Sequence, residues 1–485
     1  MPPSITTVTG NFGRLWGRGH EILEPHYRRI LSVAGTGATS FLQNLVTSDL
    51  RSAPNPPRPE KKGTIRPGIP RHMQPETDPD VQFTDQLRAT CFLDNKGRIV
   101  TDSLLWKLNE EQYYVEVSND TVHELLEHMK LFKMRRTKVE ITDRTEDMAA
   151  AVIYGTLNSQ GTPDGFLAGL DPRHPSLGMR VLQLPGDQSP RHITVQQFSD
   201  ALAKSTFPSM PGNYELVRRL AGVAEGSELK GLVALESNQE HLNAVSFDKG
   251  CYLGQELTAR VHHTGVLRKR IMPLMLLDPH TDVPSPWRVA ANLQEGRERS
   301  KFTPEELQYL PTRLPRLSVL TAGNLVAIAT GSIEPSTDAV DEKAAMELKV
   351  ALERSRQRVK EIEEDCTAGA KLVDTATDKT IGKIISPPVK GTNVVLALMR
   401  LEAVGLLEGG QWSHTNKIRI GDREYRYLPY LPLWWPELDA TTGKAAEETE
   451  DDIEVTEVVE SSESGIRMPR IEIERIPAEE DVTVR

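Results

Sequence analysis

The chain has 485 residues, 38% of them hydrophobic, with six tryptophans and 33 prolines, so two or three domains with many irregular connections are expected. Its net charge of −11 lies mostly in residues 441–485, which hold five Lys or Arg and fourteen Asp or Glu, and the rest of the chain carries a net of only −2. A near-neutral body lacks the basic face that nucleic-acid binding needs, and no apolar run approaches the roughly 20 residues of a membrane helix, so we expect neither a nucleic-acid partner nor a membrane span.

The cysteines Cys91, Cys251 and Cys366 are widely spaced, odd in number and without a Cys-x-x-Cys pair. This pattern argues against a disulfide framework and against a self-contained zinc or iron–sulfur site. It predicts a reducing compartment.

The two termini differ from the body in composition. Residues 1–25 are predicted to be a presequence or a disordered segment, because residues 1–20 contain Arg14 and Arg18 and no acidic residue. Residues 436–485 are predicted to be an acidic disordered tail.

Residues 26–265 alternate strand and helix patterns, interrupted at 51–80 by an insertion with eight prolines. Apolar periodicity predicts two helices, around Phe41–Val46 and Val122–Phe132, and strands at Ile30–Val33, Ala89–Leu93, Arg98–Trp106, Tyr113–Val117 and Val139–Ile141. More strands are predicted near Ala149–Tyr154 and Arg180–Leu184, and a helix near Tyr214–Val223. This β-α-β-β-α-β order favours an α+β layer over a doubly wound parallel sheet.

Residues 266–435 are predicted to form a C-terminal β-domain. Strand patterns occur at Val266–Leu277, 318–330, Gly369–Lys383 and Val394–Glu402. Residues 279–317, Pro-rich and irregular, and residues 336–366, strongly charged and helical in pattern, are predicted to be insertions.

The segment from Asp248 to Arg260 has the composition of a reactive-thiol loop. Cys251 follows Lys249, and a neighbouring cation or a helix N-terminus lowers the pKa of a thiol. Gly250 and Gly254 suit close backbone approach or positive φ, and a helix is predicted from Gln255. The alternative is that Cys251 is a small buried hydrophobe in a tight turn.

Two segments around this loop resemble the defining region of the YgfZ-type folate-binding proteins: Leu235-Glu236-Ser237-Asn238 and the run from Val245 to Arg260 containing Lys-Gly-Cys-Tyr-Leu-Gly-Gln-Glu. The mitochondrial members of that family are iron–sulfur cluster assembly factors related to the glycine-cleavage aminomethyltransferase. Supporting similarity lies at Phe41–Asp49, Phe92–Asp102, His262–Arg270 and Leu396–Glu402, and the long insertions are of the fungal type.

The resemblance implies an α+β, aminomethyltransferase-like fold in three parts, with ferredoxin-like units and a C-terminal β-barrel around a central tetrahydrofolate cavity. It places Asp102 opposite the reactive amine of the folate and Glu236 at the pterin, with Arg98 and Tyr252 as further folate contacts. A carboxylate suits the N–H donors of a pterin edge because it only accepts hydrogen bonds. The alternative for Asp102 is an ordinary carboxylate on the surface of a strand.

The function implied is an accessory factor for mitochondrial [4Fe–4S] proteins in the matrix, working with A-type iron–sulfur scaffold proteins. Its predicted functional residues are Lys249, Gln255, Glu256 and Cys251, the last also as one ligand of a transient cluster shared with the partner. The alternative is a folate-dependent aminomethyl or methyl transferase. A cysteine hydrolase with His262 or His263 as base lacks an identifiable Asn or Asp partner. These two histidines are also candidate metal ligands, since imidazole suits iron and zinc, but adjacent residues in a strand point to opposite faces, so at most one would face the same site.

Overall fold

A computed structural model of the chain describes residues 18–51, 84–154, 164–186, 194–204, 209–264, 267–291, 314–317, 357–407 and 410–435, and the backbone of 456–458 and 470–472. The helices are α1 (Ala38–Gln43), α2 (Val122–Phe132), α3 (Val195–Lys204), α4 (Asn213–Leu220), α5 (Gln255–Thr264) and α6 (Ser285–Ala291). The strands of the first half are β1 (Gly19–Leu23), β2 (Arg28–Ala34), β3 (Leu87–Leu93), β4 (Ile99–Asn109), β5 (Gln112–Ser118), β6 (Glu140–Asp143), β7 (Ala149–Tyr154), β8 (Phe166–Leu170) and β9 (Met179–Gln183). Those of the second half are β10 (Lys269–Leu277), β11 (Lys371–Asp374), β12 (Thr380–Ser386), β13 (Val394–Arg400), β14 (Lys417–Ile420), β15 (Arg423–Pro429), β16 (Thr456–Val458) and β17 (Arg470–Glu472).

The first sheet is antiparallel and has the strand order β3-β4-β5-β2-β6. Its core contains buried apolar residues from α1 and α2, because both helices carry their apolar residues on one face. Leu42 of α1 and Leu125 and Met129 of α2 are fully buried there with Phe92 of β3. This packing fixes the end of β3 against the two helices.

A second antiparallel sheet has the order β1-β7-β9-β8. Helix α3 packs against it through Phe198 and Leu202, which join Ile153 and Val181 in one core cluster. The hydrophobic faces of sheet and helix thereby cover each other.

The third part is a closed barrel of six strands in the order β10-β13-β12-β11-β14-β15. Its neighbouring core includes Trp287 of α6, whose Nε1–H donates to the carbonyl of Pro429 over 2.7 Å. Residues 279–317 were predicted to be irregular insertion. The irregular structure is wrong for α6, because Trp287 is fully buried and anchors the helix to the barrel, whereas the insertion itself stays a prediction.

The predicted α+β fold class in three parts is confirmed: two antiparallel sheets with helices and one closed barrel. The predicted helix around Phe41–Val46 ends earlier, at Gln43, and the three strands predicted between α1 and α2 are confirmed as β3, β4 and β5. The predicted insertion at 51–80, except Arg51, and the predicted strand at 318–330 lie outside the described residues, as does most of 336–366, of which 357–365 is helical.

Contacts divide the chain into two compact units, Met1–Trp435 and Pro436–Arg485. In the second unit, β16 and β17 pair antiparallel. Among the helices that the structure describes, none has the length and apolar character needed to cross a membrane. The predicted division of the first unit at residue 265 stays a prediction.

Candidate functional site

The thiol loop, defined here as residues 245–254, lies against the segment that follows α1. The Ser246 N–H donates to the Thr47 carbonyl over 3.0 Å, and the Leu253 N–H donates to the Asn44 carbonyl over 2.9 Å. Thr47 also joins the loop to β3, since its N–H donates to the Cys91 carbonyl over 3.0 Å. Both ends of the loop are therefore fixed by backbone hydrogen bonds to residues some 200 positions earlier in the chain.

Lys249 is buried and holds the middle of the thiol loop. Its ammonium donates three hydrogen bonds, to the carbonyls of Gln43, Val46 and Ser48, over 2.8, 2.6 and 3.0 Å. Carbonyls at the end of a helix lack partners within the helix, and a cation is favoured there. Burial lowers the pKa of Lys249 to about 8. Because an ammonium has three donors and all three are used here, Lys249 serves as a backbone anchor rather than as a hydrogen-bond partner of the thiol.

Gly254 and Gly97 pack against each other where the thiol loop meets the turn between β3 and β4. Gly254 has φ +77°, and a Cβ there would lie 2.5 Å from the Asp94 carbonyl oxygen. Gly97 also has φ +77°, and its Cβ would lie 2.7 Å from the Gly254 carbonyl oxygen. The expectation for Gly254 is thus confirmed. It is wrong for Gly250, where a Cβ would have no atom within 4 Å and φ is not positive.

Cys251 is exposed, so the alternative of a small buried hydrophobe is wrong. Cys91 and Cys366 are both buried, and burial raises the pKa of each thiol. Since the thiolate is the metal ligand and the nucleophile, the exposed Cys251 is the best placed of the three for chemistry with an external partner.

Helix α5 begins at Gln255, as expected from the sequence. Gln255 is half-buried and Glu256 is exposed in its first turn. His262 and His263 lie in its last turn and not in a strand, so the argument that they face opposite sides of a strand does not apply. The His262 ring stacks on the exposed Phe247 ring of the thiol loop, with centroids 3.7 Å apart.

The Tyr252 side chain of the thiol loop is buried. The Lys249 ammonium lies 4.7 Å from the centre of its ring, within the range of a cation–π contact. Burial raises the pKa of Tyr252 to about 12. Tyr252 thus belongs to the support of the thiol loop, and its predicted folate contact stays a prediction.

Asp102 is neither on the surface nor free. It is 5% exposed and pairs in register with Cys91 across the first sheet. Its Oδ1 accepts the Gly226 N–H over 2.7 Å. Burial, followed by the neighbouring Glu225 carboxylate, raises the pKa of Asp102 to about 6.

Glu236 and Arg98 lie in different surroundings from Asp102. Glu236 is half-buried, and within the described part of the chain its carboxylate makes neither a hydrogen bond nor an ion pair. Arg98 is exposed on the β3–β4 turn, where its N–H donates to Asp94 Oδ1 over 2.8 Å. The Glu236 carboxylate is therefore available to a ligand, whereas Asp102 already has a backbone partner, and the predicted folate contacts of Glu236, Arg98 and Asp102 stay predictions.

A buried charge cluster beside Asp102 was not predicted from the sequence. The Glu225 carboxylate lies at its centre, with Arg28, Arg173, Arg180 and Arg218 around it; Arg28 also contacts Glu116, and Arg173 contacts Asp171. Burial alone would raise the pKa of Glu225, but these arginines hold it well below its usual range. Because a buried charge is costly unless it is paired, the cluster ties the two sheets and α4 together.

The described residues contain no group of three or more His, Cys, Asp or Glu side chains arranged to hold a metal ion. A cluster bound through Cys251 would therefore need ligands from elsewhere.

The curated proteins to which the chain is similar include mitochondrial iron–sulfur cluster assembly factors. The chain is 30% identical over 278 residues to the mitochondrial iron–sulfur cluster assembly factor IBA57 homolog of Neosartorya fischeri, covering 51% of this chain and 56% of that protein. It is 32% identical over 266 residues to human mitochondrial IBA57, covering 52% and 65%, and 29% identical over 318 residues to the Mycosarcoma maydis homolog, covering 62% and 70%. The chain thus spans little more than half the length of the first of these relatives.

No family model matches the chain. Among solved structures, the glycine cleavage system aminomethyltransferase T from Bartonella henselae superposes with a TM-score of 0.47 at 10% identity, covering 87% of each chain. Over little more than half of its length, the chain is therefore similar to proteins named iron–sulfur cluster assembly factor IBA57.

Proposed function

We propose that this chain is an accessory factor for the maturation of [4Fe–4S] proteins in the mitochondrial matrix. Its curated relatives are named as mitochondrial iron–sulfur cluster assembly factors. The observation that carries the proposal is the exposed Cys251 thiol on a loop held by Lys249 and Gly254. A rigid loop that presents one thiol to solvent suits chemistry completed by another molecule.

The thiol supplies one ligand to a transient cluster, and an A-type iron–sulfur scaffold protein supplies the others. Iron–sulfur clusters are held mostly by cysteine thiolates, commonly four. Within the described residues, Cys251 is the only exposed cysteine. This chain therefore completes a cluster site instead of forming one.

The experiment is reconstitution of a cluster on the purified chain mixed with the A-type scaffold protein of the same organism. Cys251→Ser removes the thiolate and should abolish the cluster that spans the two proteins. Asp248→Asn is the matched control, because Asp248 is exposed on the same loop. A spanning cluster that forms equally well with Cys251→Ser would contradict the proposal.

We also propose that the chain binds tetrahydrofolate and that the Glu236 carboxylate contacts the pterin. The unpaired, half-buried carboxylate of Glu236 suits the N–H donors of a pterin edge. We assign no reaction step to the folate, since Asp102 already accepts a hydrogen bond from Gly226. Titration with tetrahydrofolate should show binding that Glu236→Ala weakens at least about tenfold and that Glu127→Ala, on an exposed helix face, leaves unchanged. Equal binding by both variants would contradict this contact.

The alternative of a one-carbon transferase is less well supported. It requires the Asp102 carboxylate to face the reacting amine of the folate, and Asp102 is 5% exposed and hydrogen-bonded to backbone. The accessory role makes no such demand on Asp102.

A further inference from the structure

One surface segment, residues 130–138, combines exposed apolar side chains with unpaired positive charge. Leu131 is 77% exposed and Met134 is 73% exposed, which makes them the most exposed large hydrophobic residues in the described part of the chain. The same nine residues contain no acidic side chain and five cations: Lys130, Lys133, Arg135, Arg136 and Lys138. Within the described residues none of these cations forms an ion pair. We call this segment the basic ridge.

The basic ridge has a fixed backbone. It begins in the last turn of α2, and the Thr137 N–H donates to the Met134 carbonyl over 3.0 Å. At its end, the Lys138 carbonyl accepts the Gly37 N–H over 3.3 Å. Beneath it, the Phe132 ring packs on His128, with centroids 4.9 Å apart. The exposure of Leu131 and Met134 therefore belongs to a segment whose backbone is held by hydrogen bonds.

The basic ridge and the thiol loop lie at opposite ends of the same short helix. Lys138 contacts Gly37, immediately before α1, whereas Lys249 and Leu253 contact the carbonyls of Gln43 and Asn44 at its end. A six-residue helix is about 9 Å long at 1.5 Å per residue. A stable interface covers about 800 Å² on each partner, so both features fit within one interface.

The positive charges and exposed apolar side chains of the basic ridge favour an acidic protein surface as its partner. Five unpaired cations on one short segment repel one another, and an acidic protein surface relieves that repulsion while it guides association. Leu131 and Met134 supply the apolar contact that affinity requires. Nucleic acid is disfavoured, since the chain outside residues 441–485 carries a net charge of only −2.

We propose that the basic ridge and the thiol loop form one docking surface for an acidic face of the protein that shares a cluster with Cys251. The proposal rests on the function proposed above and adds the place and chemistry of the contact. Leu131 and Met134 are its apolar anchors, and Arg135 and Arg136 are its central charges.

The test measures binding of the full chain to the purified A-type scaffold protein by calorimetry at two salt concentrations. Leu131→Ser/Met134→Ser and Arg135→Glu/Arg136→Glu should each weaken binding at least about tenfold, and the second variant should also lose most of the salt dependence. The matched control is Lys371→Glu/Lys383→Glu, which makes the same charge change at two exposed, cross-strand neighbours in the barrel. Its affinity should stay within about twofold of the unmodified chain.

The outcomes separate this proposal from the function on which it rests. Cys251→Ser should lose the shared cluster but keep its affinity for the scaffold within about threefold, because docking and ligation use different groups. Unchanged affinity in both ridge variants would overturn the docking surface, even if Cys251→Ser lost the cluster. Equal losses of scaffold affinity in the ridge and barrel variants would also overturn it. Phosphatidylserine vesicles serve as a second binding partner, and ridge variants that lose binding to these vesicles but not to the scaffold would overturn it as well. A cluster that persists with Cys251→Ser would instead overturn the proposed function.

Discussion

The ammonium of Lys249 shows how one side chain fixes the geometry of the thiol loop. Its three carbonyl acceptors come from the end of α1 and the residues after it. The same ammonium lies over the ring of Tyr252 in a cation–π contact. Cys251 follows two residues later and is exposed to solvent. Lys249, two residues before the thiol, therefore acts mainly through hydrogen bonds to the backbone.

Replacing Lys249 by Met should destabilise the chain by about 2–4 kcal/mol, because it leaves three carbonyls without their charged donor. Urea unfolding monitored by circular dichroism measures this loss. Lys269→Met is the control, since Lys269 is exposed at the start of β10. Lys249→Met should also change the rate at which Cys251 reacts with iodoacetamide. Equal stability of the two variants would contradict the anchoring role.

The same experiment has a pH dependence with a defined sign. Burial lowers the pKa of Lys249 from 10.5 to about 8, so between these values the unfolded chain binds the additional proton. The free energy of unfolding contributed by this group therefore rises as pH increases from about 8 to about 10.5. Lys249→Met should lack that rise.

At the scale of elements, the thiol loop and the β3–β4 turn are built to fit each other. Both Gly254 and Gly97 have φ +77° and backbone atoms of the opposite turn in the space of a Cβ. The contact connects the loop of Cys251 to the sheet that holds Asp102.

Gly254→Ala should therefore cost about 2–4 kcal/mol, from the strained φ together with the clash with the Asp94 carbonyl. Gly391→Ala isolates the first effect, because Gly391 has φ +80° but no atom within 4 Å of the added carbon. Urea unfolding of both variants gives the difference. If the two alanine variants lose the same stability, the close contact contributes nothing.

Local sequence patterns were sufficient for most elements. The periodicity around Val122–Phe132 specifies a helix because α2 buries one face, and the short apolar runs of β3, β4 and β5 specify strands that are buried along most of their length. Patterns failed where tertiary contacts decide: α6 forms in a Pro-rich stretch because Trp287 reaches the barrel. They also gave no sign of the partners of Lys249, which lie some 200 residues earlier.

The candidate site was also predictable only in part from the sequence. The motif identified Cys251 as the important thiol, and its exposure agrees with that prediction. The sequence had no signal for Glu225, because a single carboxylate after two apolar residues acquires its four arginines only through the fold. It also did not distinguish a free Asp102 from one bound to the Gly226 backbone.

For the molecule as a whole, the buried charges and the exposed thiol have separate roles. The Glu225 cluster joins the two sheets, and breaking such a paired group by removing one partner typically costs about 3–5 kcal/mol. The thiol loop and the basic ridge contact the two ends of α1. This arrangement suits a chain that contributes a ligand and a docking surface to a partner.

The role of Cys251 as a ligand of a shared cluster is tested by reconstituting a cluster on the chain mixed with the A-type scaffold protein and then separating the complex by size. We expect the unmodified chain and Asp248→Asn to elute with the scaffold and with the visible absorbance of a cluster. The Cys251→Ser complex should elute with most of that absorbance lost, since the shared cluster lacks one ligand. Full absorbance in the Cys251→Ser complex would contradict the ligand role of Cys251.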